Sequence, residues 1–224
     1  MKKKIIIAIS GGVDSSISAL LLKQQGYEVE AIFMKNWIDA ECSSENDIND
    51  IKLVCEKIKI KLHIVEFSNE YWNKVFSKSI YLFNKGDTPN PDILCNKEIK
   101  FKILFEYICH IGIYKIATGH YIQKVKINKV YFLLNSFDKK KDQSYFLCMI
   151  NERILRKSLF PIGHMKKSFI RKISTFYNFC NAKKKDSTGI CFIGKRNFQN
   201  FLNRYIIAKS AKLSFLRKKI DFPS

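Results

Sequence analysis

"IIIAI" (Ile5–Ile9) is apolar at every position, stops at "SGGVDSS", and gives way to "ISALLLKQQ". A strand apolar on both sides needs cover on both sides, which a parallel sheet with helices on each face supplies. The alternation then repeats along the chain. Strands are expected at Lys4–Ile9, Tyr27–Trp37, Lys61–Phe67 and Tyr114–Gly119. Helices are expected at Ser15–Gln25, stopped by Gly26, then at Asp47–Lys59, Glu70–Asn84 and Ile93–Cys109, with "KGDTPNPD" breaking the last two apart. Right-handed crossovers between such strands build an α/β fold with a doubly wound parallel sheet.

In such sheets, ligands bind beyond the carboxyl ends of the strands. Ser10–Ser15, Met34–Trp37 and Gly119–His120 all follow strands and are expected to converge on one crevice. After Tyr121 the pattern changes. "YIQKVKINKVYFLLNSFD" predicts a hairpin, Gln143–Ile207 reads as mainly helical with basic connections, and Lys209–Ser224 is basic without a recognisable element. The expected organisation is a catalytic domain over 1–136, a mainly helical region over 137–208, and a basic tail over 209–224.

"SGGVDSS" lacks the lysine-serine/threonine ending of a Walker loop, and it is not GxGxxG. Gly11 and Gly12 let the backbone approach a ligand closely, successive amides form an anion nest, Ser10 and Ser15 offer hydroxyls, and the helix presents its positive end. The alternative is an ordinary strand-to-helix turn with Asp14 or Ser15 as N-cap. The turn favours phosphate without saying which.

Forty Lys+Arg against 20 Asp+Glu give a formal charge of +20, clustered at Lys2–Lys4, Lys139–Lys141, Lys183–Lys185 and Arg217–Lys219. That excess favours a polyanion, nucleic acid first; a genome biased toward lysine codons is the competing explanation. With 46% hydrophobic residues the chain is not of the disordered class. No apolar stretch reaches the length of a membrane span, and a soluble, cytoplasmic protein is expected. The seven cysteines form no CxxC, and four histidines make no zinc pattern, so no metal ligand set is expected. Cys42, Cys55, Cys109, Cys148 and Cys180 read as small buried apolar residues.

SGGxDS resembles the pyrophosphate loop of the ATP pyrophosphatases, enzymes that cleave ATP between the α- and β-phosphates and adenylate an oxygen. "FMKNW" (Phe33–Trp37), "TPNPDILCNKEIKF" (Thr88–Phe101), "ATGHY" (Ala117–Tyr121), "KDQSYFL" (Lys141–Leu147), "LFPIG" (Leu159–Gly163) and "KKKDSTGICFIG" (Lys183–Gly194) follow in order. Together, to about residue 205, they are similar to the bacterial-type tRNA-specific 2-thiouridylases. The resemblance implies an adenine nucleotide α-hydrolase-like, Rossmann-type fold followed by a tRNA-binding region. It implies ATP, accompanied by Mg2+, on Ala8, Ile9, Ser10, Gly11, Gly12, Val13, Asp14, Ser15, Met34 and Gly119. It assigns the target base to Asn90, Pro91 and Asp92, and other tRNA contacts to Lys141, Asp142 and Gln143. Cys95 becomes the nucleophile and Cys191 the carrier of persulfide sulfur, with glutamate, glutamine and lysine tRNAs and a persulfide-donor protein as partners.

These residues suit that chemistry. A urea-like carbonyl is a poor electrophile, so its oxygen must first become a leaving group. Adenylation of the wobble uridine O2 releases pyrophosphate, sulfur then attacks C2, and AMP leaves. Two routes stay open: Cys95 closes a disulfide with Cys191, or Cys95 frees hydrogen sulfide that attacks directly. Cys95 stands near the start of a predicted helix with Lys97 and Lys100 nearby, conditions that favour thiolate. Asp92 is a candidate acid/base or orienting group. Cys191 follows the small-residue turn "STG", and His120 either faces the nucleotide or is structural. "KKKDQSYF" suits backbone phosphates plus a base. Family members continue into a central β domain and a C-terminal β-barrel, the first of which is expected to begin near 209–224. The alternative functions are another adenylating enzyme of the superfamily and a non-catalytic tRNA-binding remnant.

Overall fold

A computed structural model of the chain describes residues 3–36, 44–186 and 201–205. The first four strands are β1 (Lys4–Ala8), β2 (Glu28–Lys35), β3 (Lys61–Glu66) and β4 (Ile116–Thr118). An antiparallel hairpin follows, β5 (Ile122–Ile127) with β6 (Val130–Asn135), and then a short strand β7 (Ser158–Leu159). The five parallel strands stand in the order β3-β2-β1-β4-β7. The chain runs outward from β1 through β2 to β3, then crosses to the other side of β1 as β4. The β1/β4 boundary is therefore the topological switch point, where a doubly wound sheet opens a crevice.

Period-two alternation divides β1 between two cores. Ile5, Ile7 and Ile9 join a cluster with Ile17 and Leu20 of α1 (Val13–Gln24) and Ile51 and Val54 of α2 (Ser44–Ile58). Ile6 and Ala8 face a second cluster. It contains Tyr71 of α3 (Ser68–Tyr71), Val75 and Phe76 in wide π turns (Trp72–Phe76) leading to α4 (Ser77–Asn84), and residues of a second composite helix. That helix opens as α5 (Pro91–Leu94), widens into π turns over Cys95–Ile103, and closes as α6 (Leu104–His110). Ile5, Ile6 and Ile7 are fully buried, each contributing roughly 1.5–3 kcal/mol by leaving water. Two-sided burial is what the unbroken apolar run required.

Three local differences from expectation have clear causes. Helix α1 begins at Val13 rather than Ser15, because Gly12 takes the extended N-cap conformation (φ −84°, ψ 160°). The helix carrying Cys95 begins at Pro91 rather than Ile93, because Asn90 caps it and proline is pre-shaped for the first helical position. The third is β7, inside a stretch expected to be mainly helical. It follows α7 (Glu152–Lys157) and precedes α8 (Lys167–Phe176). The Lys124 ammonium holds this join by donating to Leu155 O at 3.1 Å, to Arg156 O at 3.3 Å and to Ser158 O. Residues on both sides of 136/137 share one core: Ile162, Ile170 and Phe179 lie in the cluster of Ile5 and Ile7. Among the described residues no helix is long and apolar enough to cross a membrane.

Candidate active site

The loop after β1 is held open by its own hydroxyls. Gly11 has φ +73°, a left-handed conformation that favours glycine. Ser10 N–H donates to Ser15 Oγ at 3.2 Å, while the Ser15 and Ser16 hydroxyls both donate to Gly12 O, at 3.2 and 2.9 Å. Ser16 N–H makes the first bond back along the helix, to Gly12 O at 3.3 Å. The amides of Val13, Asp14 and Ser15 are thus the opening donors of α1, and no side chain caps them. The expected alternative, capping by Asp14 or Ser15, does not occur. Gly119, at the end of β4, presses against this turn: a Cβ there would stand 2.6 Å from Ser15 N and 2.9 Å from Asp14 C. The β4 exit therefore packs directly on the first turn of α1 at the switch point, with Ala8 and Ile9 leading into the loop and Ile9 N–H bonded to Ile32 O at 2.9 Å.

Asp14 points sideways. It accepts from Tyr121 Oη at 2.7 Å and from Lys167 Nζ at 2.7 Å on each oxygen. Lys167 also pairs with Asp186 at 2.7 Å, and Asp186 takes Lys141 at 2.6 Å and Arg171 at 2.9 Å. Burial works to raise the Asp186 carboxyl, but its lysine partners outweigh burial and hold it at about 2. Burial, and then the Asp14 charge, push the Tyr121 phenol far up. Behind the loop, buried Asn181 donates to Gly11 O at 3.0 Å and to Ser16 Oγ at 2.9 Å. Lys184 clasps Asp47 at 2.7 Å and Asp50 at 2.5 Å. Residues 181–186 thus brace the loop from behind.

Cys95 lies on the other side of the crevice. Asn90 Oδ1 accepts from Asp92 N at 3.1 Å and Ile93 N at 3.3 Å, which fixes the helix start one turn before Cys95. Asn96 donates to Asp92 O at 3.0 Å, and Lys100 donates to Asn96 Oδ1 at 3.0 Å. Cys95 is buried in the same apolar cluster as Ala8, with Met34 of β2 packed against it. The π turns begin at Cys95 itself; such turns are uncommon and gather at functional sites. His120 bonds Thr118 Oγ1 through Nδ1 at 2.7 Å and faces the Phe101 ring at 6.3 Å. Burial, helped by the Lys100 charge, holds its imidazole well below the usual histidine range. The structure therefore brings Ala8–Ser15, Gly119, Met34 and Asn90–Cys95 to one end of the sheet.

The sequence profile of the tRNA methyl transferase HUP domain matches residues 3–195. The chain belongs to this family. Its curated relatives include the tRNA-specific 2-thiouridylase MnmA of Buchnera aphidicola subsp. Baizongia pistaciae (strain Bp), 53% identical over 220 residues, covering 95% of this chain and 60% of the relative. The protein of the same description from Salmonella arizonae is 50% identical over 216 residues, covering 94% and 59%. The chain thus spans about 60% of the length of the curated relatives it matches. Among solved structures, a 4-thiouridine synthetase–RNA complex with bound ATP shares the fold, with TM-score 0.58 at 16% identity over 91% of this chain and 50% of that one.

The remaining expected positions of this family member divide. Gln143 and Asp142 are built into the fold: Gln143 Oε1 accepts Tyr121 N at 2.9 Å, Gln143 N donates to Tyr121 O at 3.1 Å, and Asp142 accepts Ser136 N at 2.9 Å and Ser144 Oγ at 2.7 Å. Their short 3-10 turn, Ser144–Leu147, packs on α5 and sets Tyr145 beside Asp92. Burial first, then the charges of Asp92 and Asp142, raise the Tyr145 phenol. Cys191, its "STG" turn, Trp37 and Cys42 lie outside the described residues. Of the cysteines read as buried, Cys55 is, with burial raising its thiol to about 11, but Cys148 and Cys180 are exposed and Cys109 is half-buried. Sequence reasoning missed Asn181 and the internal pairing of Lys167, Arg171 and Tyr121; the basic stretch Lys166–Arg171 reads equally as phosphate contact or solvated surface. Tyr121 sat inside a quoted motif, but its bond to Asp14 spans 107 positions, and that of Asn181 to Gly11 spans 170, so neither leaves a local pattern.

Proposed function

We propose that this chain carries the ATP-consuming and nucleophile-bearing part of a tRNA 2-thiouridylase. What supports the reading most is that an uncapped, glycine-shaped anion nest and the Asn90-capped helix of Cys95 flank one crevice, in a chain whose long relatives are 2-thiouridylases. On this reading the amides of Val13, Asp14 and Ser15 take the β- and γ-phosphates of ATP, Met34 and Gly119 border the nucleotide, and Asn90–Asp92 receive the uridine. Asp14 has both oxygens engaged by Tyr121 and Lys167, so Mg2+ would be held by ATP itself and would help neutralise the departing pyrophosphate.

The uridine O2 attacks the α-phosphate and pyrophosphate leaves into the nest. The terminal sulfur of a Cys191 persulfide attacks C2, expelling AMP. The Cys95 thiolate then displaces the sulfur from Cys191, leaving 2-thiouridine and a Cys95–Cys191 disulfide that an external dithiol reduces. In the second route the Cys95 thiolate displaces hydrogen sulfide from Cys191 first, and hydrogen sulfide attacks C2; the disulfide is the same. The acceptors are glutamate, glutamine and lysine tRNAs, a persulfide-carrying protein supplies sulfur, and the reaction runs in the cytoplasm.

The deciding experiment is a single-turnover assay with ATP, a persulfide source and unmodified glutamate tRNA, read by retardation on a mercury gel. The expected result is a shifted tRNA that requires both Cys95 and Cys191, lost in either serine variant. ATP turnover that needs no RNA and survives both serine changes would instead assign the site to another adenylation. Bound tRNA with no ATP cleavage would make the chain a binding module.

A further inference from the structure

The loop lacks the in-sequence lysine of a Walker motif, yet an ammonium stands at its first turn. Lys167, 153 residues downstream, places Nζ 2.7 Å from both oxygens of Asp14 and 2.7 Å from Asp186. Its side chain is only 10% exposed, and the ammonium lies 5.8 Å from the centre of the Tyr121 ring. Its backbone N–H donates to Asp138 at 2.9 Å, which fixes the start of α8 as well. A carboxylate in the first turn suits a helix by itself. Here it sits at the same end of α1 that would receive an anion, so left unpaired it would repel that anion at short range.

We propose that Lys167 is a positioning residue of the nucleotide loop: it cancels the Asp14 charge and holds that carboxylate against Tyr121, leaving the opening amides of α1 to face polyphosphate without a competing negative charge. The proposal rests on the reading of the loop as an ATP site. Lys167 acts through Asp14 and touches no nucleotide. Asp186 keeps the ammonium from turning outward, and is itself held by Lys141 and Arg171. The loop thereby gains, from far along the chain, a counter-charge for its own carboxylate.

The test is equilibrium binding of ATP and of adenosine to the full chain, for wild type, Lys167→Met, Lys167→Arg and the double variant Lys167→Met with Asp14→Asn. The methionine variant is expected to weaken ATP binding by about tenfold or more while leaving adenosine nearly unchanged, because the effect is carried by charge. The arginine variant keeps most of the affinity. The double variant returns ATP binding to within about threefold of wild type, since asparagine still accepts from Tyr121 and carries no charge. Unchanged ATP affinity in the methionine variant overturns the proposal. So does an equal loss for ATP and adenosine, which marks a collapsed loop, and so does a double variant no better than the single one. If the methionine variant does not fold, the double variant carries the test: folded but ATP-blind, it overturns the proposal. A wild-type chain that binds adenosine and ATP equally weakly overturns the reading of the loop itself.

Discussion

Asp186 shows how much one side chain carries here, because it closes contacts from Lys141, Lys167 and Arg171 at once. Its folded value of about 2 lies below the ordinary aspartate value of about 3.9. A group depressed in this way stabilises the fold fully above its unfolded value and loses that contribution as pH falls through the folded one. Wild type is therefore expected to be more stable than Asp186→Asn at neutral pH, with the two converging between about pH 4 and pH 2. Thermal melts at stepped pH check this; a gap that stays constant across the window refutes it. Such contacts were not readable beforehand. The glycine pair and the serines of "SGGVDSS" were, because each acts on its own neighbours within a few positions. Gly119 was named from its place after a strand and again through the "ATGHY" resemblance, but its physical reason, the first turn of α1 at van der Waals range, needs both strands in place.

At the scale of elements, alternation of apolar runs and amphipathic segments was enough to place β1 to β4 along the chain, but not to order them in the sheet. Strand β7 has two residues and carries no period; it exists because Lys124 and the β4 edge hold it. The π turns of Cys95–Ile103 likewise have no periodic signature. The composite helix over Pro91–His110 is set by its beginning, where Asn90 caps two amides and Pro91 fills the first position. Removing that cap with Asn90→Ala is expected to cost about 1 kcal/mol of stability. It is also expected to slow Cys95-dependent thiolation more than it weakens ATP binding, because the loop stands on another element. Melts paired with single-turnover thiolation at saturating ATP test this. Equal effects on both steps would mean that the cap supports the domain generally.

For the molecule as a whole, the charge of +20 is not spent uniformly. Lys141, Lys167 and Lys184 are engaged in internal ion pairs, whereas Lys139, Lys140, Lys183 and Lys185 are exposed. Neutralising Lys139 and Lys140 to glutamine is expected to lower the slope of log affinity against log salt for tRNA by about one to two, since each phosphate contact releases close to one counterion. Lys184→Gln is expected to leave that slope alone and lower the melting temperature. Slopes measured by filter binding across salt decide the matter, and an unaltered slope after the first change assigns those lysines to plain solvation.

The bracing of the loop by residues 181–186 also has a temporal side. During synthesis Ser10–Ser15 precedes the residues that brace it by a long stretch of chain, and local pairing can assemble β1, α1 and β2 before those residues arrive. Lys167, Asn181 and Asp186 emerge more than 150 positions later. Until they arrive, Asp14 lacks its counter-charge and Gly11 O its donor. Nascent chains therefore pass through a long interval with the loop formed but unbraced, and its counter-charge and backing donor are acquired late in the synthesis of this domain.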